Sequence, residues 1–390
     1  MGETLVMQSR LSKDEIPVSL TGEGDSRQCE VKGYAEALQV LTSDTEVERL
    51  TRAGTRPGQT FTELPRWLGR ALSRQRCEAL RPYLERLASD LAEAVMVKSQ
   101  ADRVDLIDDF AIPYSFSGMC SAVGVPESLH PALYAWHQAA PHTAAEVEDT
   151  DGAHWRSLRQ LIAPLVTTGT SGTSGTSGEG LTQIMASEIQ AGHLATDQAI
   201  MALGLLVLSS AHPSVTRLVS DTLLLLLIDQ DKRADLIARP GKIPTAIEEM
   251  LRFSSPSMVV GPRLTRCPMR IGEVDVPGEM QLKVFIGVAN RDPRRFRDPG
   301  RIDFDRDEAQ HLAFGYGSSY CPGARLARTQ AEIAVRTMLP CLGQLTLAIP
   351  PERLAWSYQR AGYHMMLEAV PVIRSLLSGR RYPVAVIRSA

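Results

Sequence analysis

Residues 311–339 read HLAFGYGSSYCPGARLARTQAEIAVRTML, a glycine-rich loop that leads directly into an amphipathic helix. Pro322 and Gly323 follow Cys321, and proline favours the first turn of a helix. We therefore expect the Cys321 thiol at or just before a helix N-terminus. There the unpaired backbone N–H groups and the positive end of the helix dipole stabilise a thiolate.

The loop before Cys321 contains Gly315 and Gly317, which let the backbone pass close to a large, flat group. A thiolate that points out of such a loop is a nucleophile or a metal ligand, and a cysteine buried at a tight turn is the alternative. The six cysteines form no CxxC pair and no zinc spacing. A single thiolate on one axial position of haem iron therefore fits better than zinc.

The composition of the whole chain excludes several classes of protein. With 44% apolar and 22% charged residues among 390, the chain can bury a sizeable core and is not disordered overall. Its formal net charge of −3 lacks the basic field of a general nucleic-acid binder. The longest apolar run, Leu223–Ile228, is far too short to span a bilayer, and the N-terminus has no apolar signal-peptide core. We expect a cytoplasmic protein without a membrane span.

Working outward from the loop, the hydrophobic periodicity is helical from about Leu64 onward and includes a long apolar helix over 197–228. Short β-like runs then follow, at Met258–Val260, Met269–Ile271, Val274–Val276, Gln281–Val288 and within 344–373. The predicted fold class is mainly α with a minor β portion, in one domain over 1–390. Two further segments are predicted: a flexible Thr/Ser/Gly loop at 167–180 and a C-terminal extension at 374–390.

Over residues 64–373, several features in the same order resemble the cytochrome P-450 family of haem-thiolate proteins, in its bacterial soluble type. They are the long helix 197–228, the Glu-x-x-Arg motif Glu249–Arg252, Arg263, the stretch FIGVANRDPRRFRDP at 285–299 and the loop FGYGSSYCPGARLAR at 314–328. The resemblance implies a single triangular-prism domain with the long central helix over the haem.

The resemblance also implies a site for haem b (iron protoporphyrin IX), with Cys321 as the iron ligand. The implied cofactor-binding residues are Arg263, Phe314, Gly315, Gly317, Ser319 and Gly323, and Glu249 and Arg252 are implied to support the core. The expected substrate pocket includes Leu206, Ser210, Met258, Val259 and Val260. Because most of these pocket side chains are apolar, we expect a hydrophobic substrate.

The central helix departs from the family pattern, which pairs an acid with an alcohol for proton delivery to bound dioxygen. Counting back the usual 35 residues from Glu249 gives Ser214 as the alcohol, and Pro213 stands in place of the acid. Proline delivers no proton, and inside a helix it is expected to remove a hydrogen bond and kink the helix. Ser214 and the titratable His212 are the candidate catalytic residues. The alternative for His212 is that its ring faces away from the site and packs.

Residues that usually hold the haem propionates are also replaced. Ser319 stands where the family has His, and Phe61 and Pro65 align with a His and an Arg of an early helix. Arg66 or Arg70 are the substitutes if the alignment is shifted. Because each charge-assisted hydrogen bond contributes about 1.5–3 kcal/mol, we expect haem to be held less tightly.

The implied function is that of an atypical cytochrome P-450 monooxygenase that oxidises a bulky apolar small molecule in natural-product biosynthesis. Its electrons are expected from NAD(P)H through a ferredoxin reductase and a ferredoxin docked on basic surface around Arg325, Arg328 and the loop 294–301. Loss of the acid favours an alternative, peroxide-dependent or non-redox rearrangement or cyclisation chemistry. Loss of propionate partners favours a second, a non-catalytic helper of a glycosyltransferase.

Overall fold

The computed structural model of the chain describes residues 17–22, 27–50, 59–101, 104–139, 152–169, 179–209, 212–307, 310–347, 355–359, 368–372 and 386–389. The α-helices in these ranges are α1 (Tyr34–Thr42), α2 (Gln59–Ala71), α3 (Arg74–Ala101), α4 (Ile112–Val123), α5 (His130–Gln138), α6 (Ala153–Thr168), α7 (Leu181–Gln190), α8 (Thr196–Ser209), α9 (His212–Ile228), α10 (Gln230–Ala238), α11 (Ile243–Ser254), α12 (Ile286–Ala289) and α13 (Ala324–Met338).

The strands are β1 (Val18–Thr21), β2 (Gln28–Val31), β3 (Val47–Arg49), β4 (Val104–Asp105), β5 (Arg263–Thr265), β6 (Met269–Ile271), β7 (Val274–Val276), β8 (Gln281–Val284), β9 (Leu345–Leu347), β10 (Ala355–Gln359), β11 (Glu368–Val372) and β12 (Val386–Ser389). No helix in these described ranges is long and apolar enough to cross a membrane.

The helical core forms around α13, which packs against α3, α9 and α11. Helix α3 supplies a buried stripe at three- and four-residue steps, which is the helical repeat of an amphipathic face: Cys77, Leu80, Leu84, Ala88, Ala92 and Val95. Helix α4 is tied to α13 by the Tyr114 hydroxyl, which donates to the Gln330 carbonyl at 3.1 Å. These contacts fix the direction in which α13 leaves the Cys321 loop.

A five-stranded sheet lies beside the helical core, with strand order β1-β2-β8-β5-β3. Strands β2 and β8 are parallel, and the other neighbours are antiparallel. The pairing of β3 with β5 places Arg49 directly opposite Arg263. The sheet therefore joins residues near the N-terminus to the segment that follows α11.

The long helix predicted over 197–228 is described as two helices, α8 and α9, on either side of residues 210–211, which lie outside the described residues. Pro213 lies near the start of the described part of α9, directly after this gap. The hydrogen bond that the proline is expected to remove would span the gap, so the effect of Pro213 on the helix stays a prediction.

Several other boundaries differ from the sequence prediction. Thr167 and Thr168, predicted in the flexible loop, form the last turn of α6, because their hydroxyls bond to carbonyls of the preceding turn. Residues 170–178 lie outside the described residues. In the predicted C-terminal extension, β12 pairs with β4 and β9 and is part of a sheet.

The predicted strand at Met258–Val260 is irregular. The Gly287 N–H donates to the Met258 carbonyl at 3.0 Å, and the Val260 N–H donates to the Val284 carbonyl at 3.1 Å. These backbone bonds reach two different elements, α12 and β8, so the segment forms no regular ladder.

Candidate functional site

The Cys321 loop is a compact set of turns closed by backbone hydrogen bonds. The Cys321 N–H donates to the Phe314 carbonyl at 2.8 Å, and the Ala324 N–H donates to the Cys321 carbonyl at 3.2 Å, so the cysteine directly precedes α13 as predicted. Gly315 has a φ of 73°, and a Cβ there would lie 2.6 Å from the Ser319 carbonyl oxygen. Glycine is therefore required at 315 both for its backbone angle and for the close approach.

Burial and hydrogen bonding act in opposite directions on the pKa of Cys321. Burial raises the pKa of the Cys321 thiol, and hydrogen bonds from the backbone of Gly323 and Ala324 and the charge of Arg328 only partly offset this. A bound metal ion displaces the proton, because it coordinates the deprotonated sulfur.

The other predicted loop residues surround Cys321. Gly317 has a φ of 58°, and a Cβ on Gly323 would lie 3.7 Å from the Cys321 Sγ. The ring of Phe314 carries the Arg328 guanidinium 4.5 Å from its centroid, a cation–π contact. Of these residues, Gly323 lies next to the thiol, and Phe314 and Gly317 belong to the turns that lead to it.

A charged network that sequence reasoning missed supports this loop. The Arg328 guanidinium donates to both carboxylate oxygens of Glu248 at 2.6 and 2.8 Å, and its Nη1 donates to the Tyr320 hydroxyl at 3.0 Å. His311 lies 3.2 Å from the same carboxylate, and together these partners lower the pKa of Glu248 to about 2. Arg328, predicted to contribute to a basic surface, is 29% exposed and its charge is paired with Glu248.

Beside this network, the predicted Glu249–Arg252 pair is buried and bidentate, with distances of 2.7 and 2.8 Å. Arg252 also donates to the carbonyls of Asn290, Pro299 and Arg301. A second cation, Arg306, donates to the Glu249 carboxylate at 3.1 Å. Arg306 belongs to the Arg-rich loop 290–306, which the sequence does show. Its local sequence does not distinguish Arg306 from the exposed arginines of the same loop.

Arg263 lies at the edge of the loop and is only 3% exposed. Its Nη1 donates to the Gly261 carbonyl at 2.9 Å, and its Nη2 donates to the Ser319 hydroxyl oxygen at 2.8 Å. Within the described ranges no carboxylate forms an ion pair with it. Burial and the nearby charge of Arg49 lower the pKa of Arg263 to about 10, which is still a cation at neutral pH. A buried cation without a paired anion is suited to a carboxylate of a ligand.

The two candidate residues of the central helix point in different directions. Successive helix residues are rotated by about 100°, so His212 and Ser214 lie on nearly opposite faces of α9. His212 is buried, with its Nε2 3.0 Å from the His137 Nε2 of α5 and its ring 5.2 Å from the Phe116 ring of α4. Ser214 is only half-buried. The packing of His212 matches the alternative interpretation, and its catalytic role stays a prediction.

The predicted substrate-pocket residues Leu206, Met258, Val259 and Val260 are all partly buried, and Ser210 lies outside the described residues. Met258 packs so closely on α12 that a Cβ on Gly287 would lie 2.4 Å from its sulfur. The post-α11 segment is thus held by backbone bonds and by this sulfur contact.

The donor set fits a haem. The residues described contain no group of three or more His, Cys, Asp or Glu side chains that could hold a metal ion. One sulfur on glycine-rich backbone, with a buried cation beside it, matches the single axial thiolate and the acidic side chains of iron protoporphyrin IX. The local chemistry therefore agrees with the ligand that the sequence predicted.

Comparison with known proteins supports the same conclusion. The family model described as Cytochrome P450 matches residues 242–341. Cytochrome P450 107B1 of Saccharopolyspora erythraea is 32% identical over 302 residues, which are 76% of this chain and 71% of that protein. The chain belongs to the cytochrome P450 family. The predicted family, the mainly α fold class and the assignment as an oxidoreductase of the monooxygenase type are confirmed, and membership implies haem iron as the cofactor.

Two further comparisons of this P450 are with a related hydroxylase and with a solved P450 structure. The 6-deoxyerythronolide B hydroxylase of Saccharopolyspora erythraea is 28% identical over 306 residues, covering 78% of this chain and 74% of that protein. The crystal structure of LnmA, a P450 hydroxylase of the leinamycin biosynthetic pathway of Streptomyces atroolivaceus, superposes with a TM-score of 0.76 at 24% identity, covering 96% of this chain and 94% of the other. The likeness to LnmA concerns the fold.

Proposed function

We propose that this P450 hydroxylates or otherwise oxidises a bulky apolar natural product, with a macrolactone ring as the first class to test. The observation that carries the proposal is the intact Cys321 loop, which is stabilised by the Glu248–Arg328 and Glu249–Arg252 pairs. The name of the 6-deoxyerythronolide B hydroxylase points to macrolactones. The apolar character of the predicted pocket residues supports a hydrophobic substrate.

In this proposal Cys321 holds the iron of haem b, and Arg263 with Ser319 holds the acidic edge of the porphyrin. Gly315, Gly317 and Gly323 keep the backbone close to the macrocycle, and Phe314 packs beside Arg328 on the side of the loop that faces α11. The bound haem supplies oxygen activation at its iron. The protein supplies the single thiolate, its orientation at the start of α13 and the cation for a propionate.

Ser214 is proposed as the hydroxyl that the central helix α9 supplies to the site. A serine hydroxyl can donate and accept a hydrogen bond, so it can orient water and pass on a proton. Pro213 supplies neither function. We therefore expect the substrate or ordered water to contribute the remaining proton donor.

For electron supply we propose NAD(P)H, a ferredoxin reductase and a ferredoxin, in the cytoplasm. Arg325 and Arg297 are exposed and lie in the two segments predicted to present basic surface. Acidic small electron carriers associate with such surfaces through salt-sensitive steering. A fall in electron-transfer rate with rising ionic strength is the expected signature.

The deciding experiment is the absorption spectrum of the purified protein, oxidised and then reduced under carbon monoxide. We expect the strongly red-shifted Soret band of a ferrous thiolate–CO complex in the wild type and in Cys267→Ala, whose thiol is exposed. In Cys321→Ala the band should be lost. A wild-type protein that binds no haem after reconstitution would remove the oxidation proposal and favour the helper of a glycosyltransferase.

Turnover assays then separate the chemistries. 6-Deoxyerythronolide B is supplied as the probe alone, with peroxide, or with NADPH, ferredoxin and reductase. Product only with the reductase system supports monooxygenation. Product with peroxide alone, or with no oxidant, supports the peroxide-dependent or rearranging chemistry that the loss of the acid at 213 favours.

A further inference from the structure

Two arginines face each other across the β3–β5 pair. Arg49 and Arg263 are direct cross-strand partners, so their side chains project from the same face of the sheet. The next pair on that face, Val47 and Thr265, is buried. Arg49 therefore lies on the inner face of β3 even though its own side chain is accessible. Like charges placed directly opposite each other destabilise a sheet unless an anion balances them.

Both guanidinium groups reach the loop that leads to Cys321. Arg263 donates to the Ser319 hydroxyl oxygen at 2.8 Å, and the Arg49 Nη1 donates to the Ser318 carbonyl at 3.4 Å. Ser319 is two residues before Cys321, so the paired cations lie next to the iron-ligand loop. The charge of Arg49 is close enough to contribute to the lowered pKa of Arg263.

The neighbouring acid does not pair with either arginine. Asp44 accepts a hydrogen bond from the Ser318 hydroxyl, and no ion pair joins it to Arg49 or Arg263 in the described ranges. Two cations therefore share one nearby carboxylate that is bonded elsewhere. A further anion at this edge would relieve the repulsion between them.

The other arginines considered from the sequence are exposed and paired with other carboxylates. Arg66 pairs with Glu63 and Arg70 pairs with Glu179, at 3.2 and 2.9 Å, and all four side chains are at least 40% exposed. Neither residue of α2 reaches toward the Ser318–Ser319 segment in these pairs. Arg49 is the additional cation that the fold brings to that segment.

We propose that Arg49 binds a propionate carboxylate of the haem together with Arg263, and that it takes over from the partners missing at Ser319 and in α2. This inference rests on the proposed haem function. Arg49 acts in cofactor binding, and its role requires no contact with the substrate. The site is composite, because β3 and β5 come from parts of the chain more than 200 residues apart.

The test is the rate at which ferric haem leaves the holoprotein for excess apomyoglobin, followed by the change in the Soret band. Arg49→Gln should lose haem about tenfold faster than the wild type, because a charge-assisted bond is lost. Arg49→Lys should fall between them, and Arg66→Gln, which removes an exposed arginine paired with Glu63, should match the wild type. Circular dichroism of each variant checks that the fold is kept.

A second arm uses haem dimethyl ester, whose carboxylates are blocked. Wild type and Arg49→Gln should then lose the cofactor at the same rate. The same arm includes a test on the wild type alone, because the ester should leave the wild-type protein faster than unmodified haem does. Unchanged loss of unmodified haem from Arg49→Gln, in a protein that shows the thiolate–CO band, would overturn the role of Arg49 and leave the proposed function intact. Absence of that band from the wild type would remove both.

Discussion

The polar groups that support the Cys321 loop and those on the face of α9 toward α4 and α5 are stabilised in opposite ways. Beneath the loop, buried groups carry opposite charges and are paired: Glu249 with Arg252 and Arg306, and Glu248 with Arg328. Along the face of α9 that packs on α4 and α5, the paired groups are neutral. His212 meets His137, and Thr216 shares a hydrogen bond of 2.6 Å with Ser115.

The charged pairs form a rigid support for the Cys321 loop, whereas the neutral pairs leave their face of α9 adaptable. Ion pairs between α11, α13 and the segment 297–306 fix the loop, since removing one partner leaves a buried charge. Imidazole and hydroxyl pairs hold the face of α9 toward α4 and α5 without a charge, and burial lowers the pKa of both histidines. Elsewhere on α9, Arg217 pairs with the buried Asp221. The Glu-x-x-Arg motif lies on the charged side, whereas Pro213, which stands in place of the family's acid, lies on α9.

The largest expected effect is on the charged side. Glu249→Gln keeps the shape of the side chain but leaves Arg252 and Arg306 buried without their counter-charge. We expect a loss of about 3–5 kcal/mol in the free energy of unfolding. Denaturant unfolding followed by circular dichroism measures it.

The matched control for that variant is Glu273→Gln, whose carboxylate is 96% exposed and pairs only at the surface. It should change the free energy of unfolding by less than about 0.5 kcal/mol. If Glu249→Gln is as mild as this control, the ion pairs do not hold the loop, and the contrast between the two sides fails.

An intermediate effect is expected at the histidine pair. Burial, together with the charge of His154, lowers the pKa of His137 to about 4, and no carboxylate is among the causes of that shift. As pH falls below the unfolded value of about 6.5, the unfolded chain gains protons first, so the folded state loses stability down to about pH 4. At pH 5 this single group accounts for about 1–2 kcal/mol.

His137→Asn removes the titrating ring and retains a hydrogen-bond donor for His212. The fall in unfolding free energy between pH 7 and pH 5 should become smaller in this variant. His193→Asn changes a histidine whose side chain is 71% exposed and should keep the wild-type slope. Equal slopes in all three proteins would show that the neutral pair does not shape the pH response.

The smallest effect on stability is expected at Ser214, whose side chain is half-buried. Ser214→Ala should change the free energy of unfolding by less than about 0.5 kcal/mol. If its hydroxyl assists proton delivery, product formed per NADPH consumed should fall severalfold while hydrogen peroxide release rises. The same ratio in His212→Asn should stay at the wild-type value, because that ring faces α5. A reversal of the two results would assign the proton role to His212.

The sequence predicted the parts of the site that are encoded locally. Cys321, its glycines and the start of α13 lie within one short stretch, and Glu249 and Arg252 are one helical turn apart, so spacing alone places them. It did not predict Arg306 on Glu249, Arg328 on Glu248 or Arg49 opposite Arg263. Each of these contacts joins segments separated by tens to hundreds of residues, and many exposed arginines have the same local context.

The directions of the side chains on α9 were likewise left open. Helical periodicity placed His212 and Ser214 on different faces, but only packing against Phe116 and His137 identifies the face that is buried. By itself, the sequence determined the family, the mainly α fold and the place of Cys321 before α13, because backbone preferences and residue spacing act over a few residues. The tertiary structure decided which charges are neutralised and which cations meet, because burial and long-range strand pairing set the electrostatics of the site.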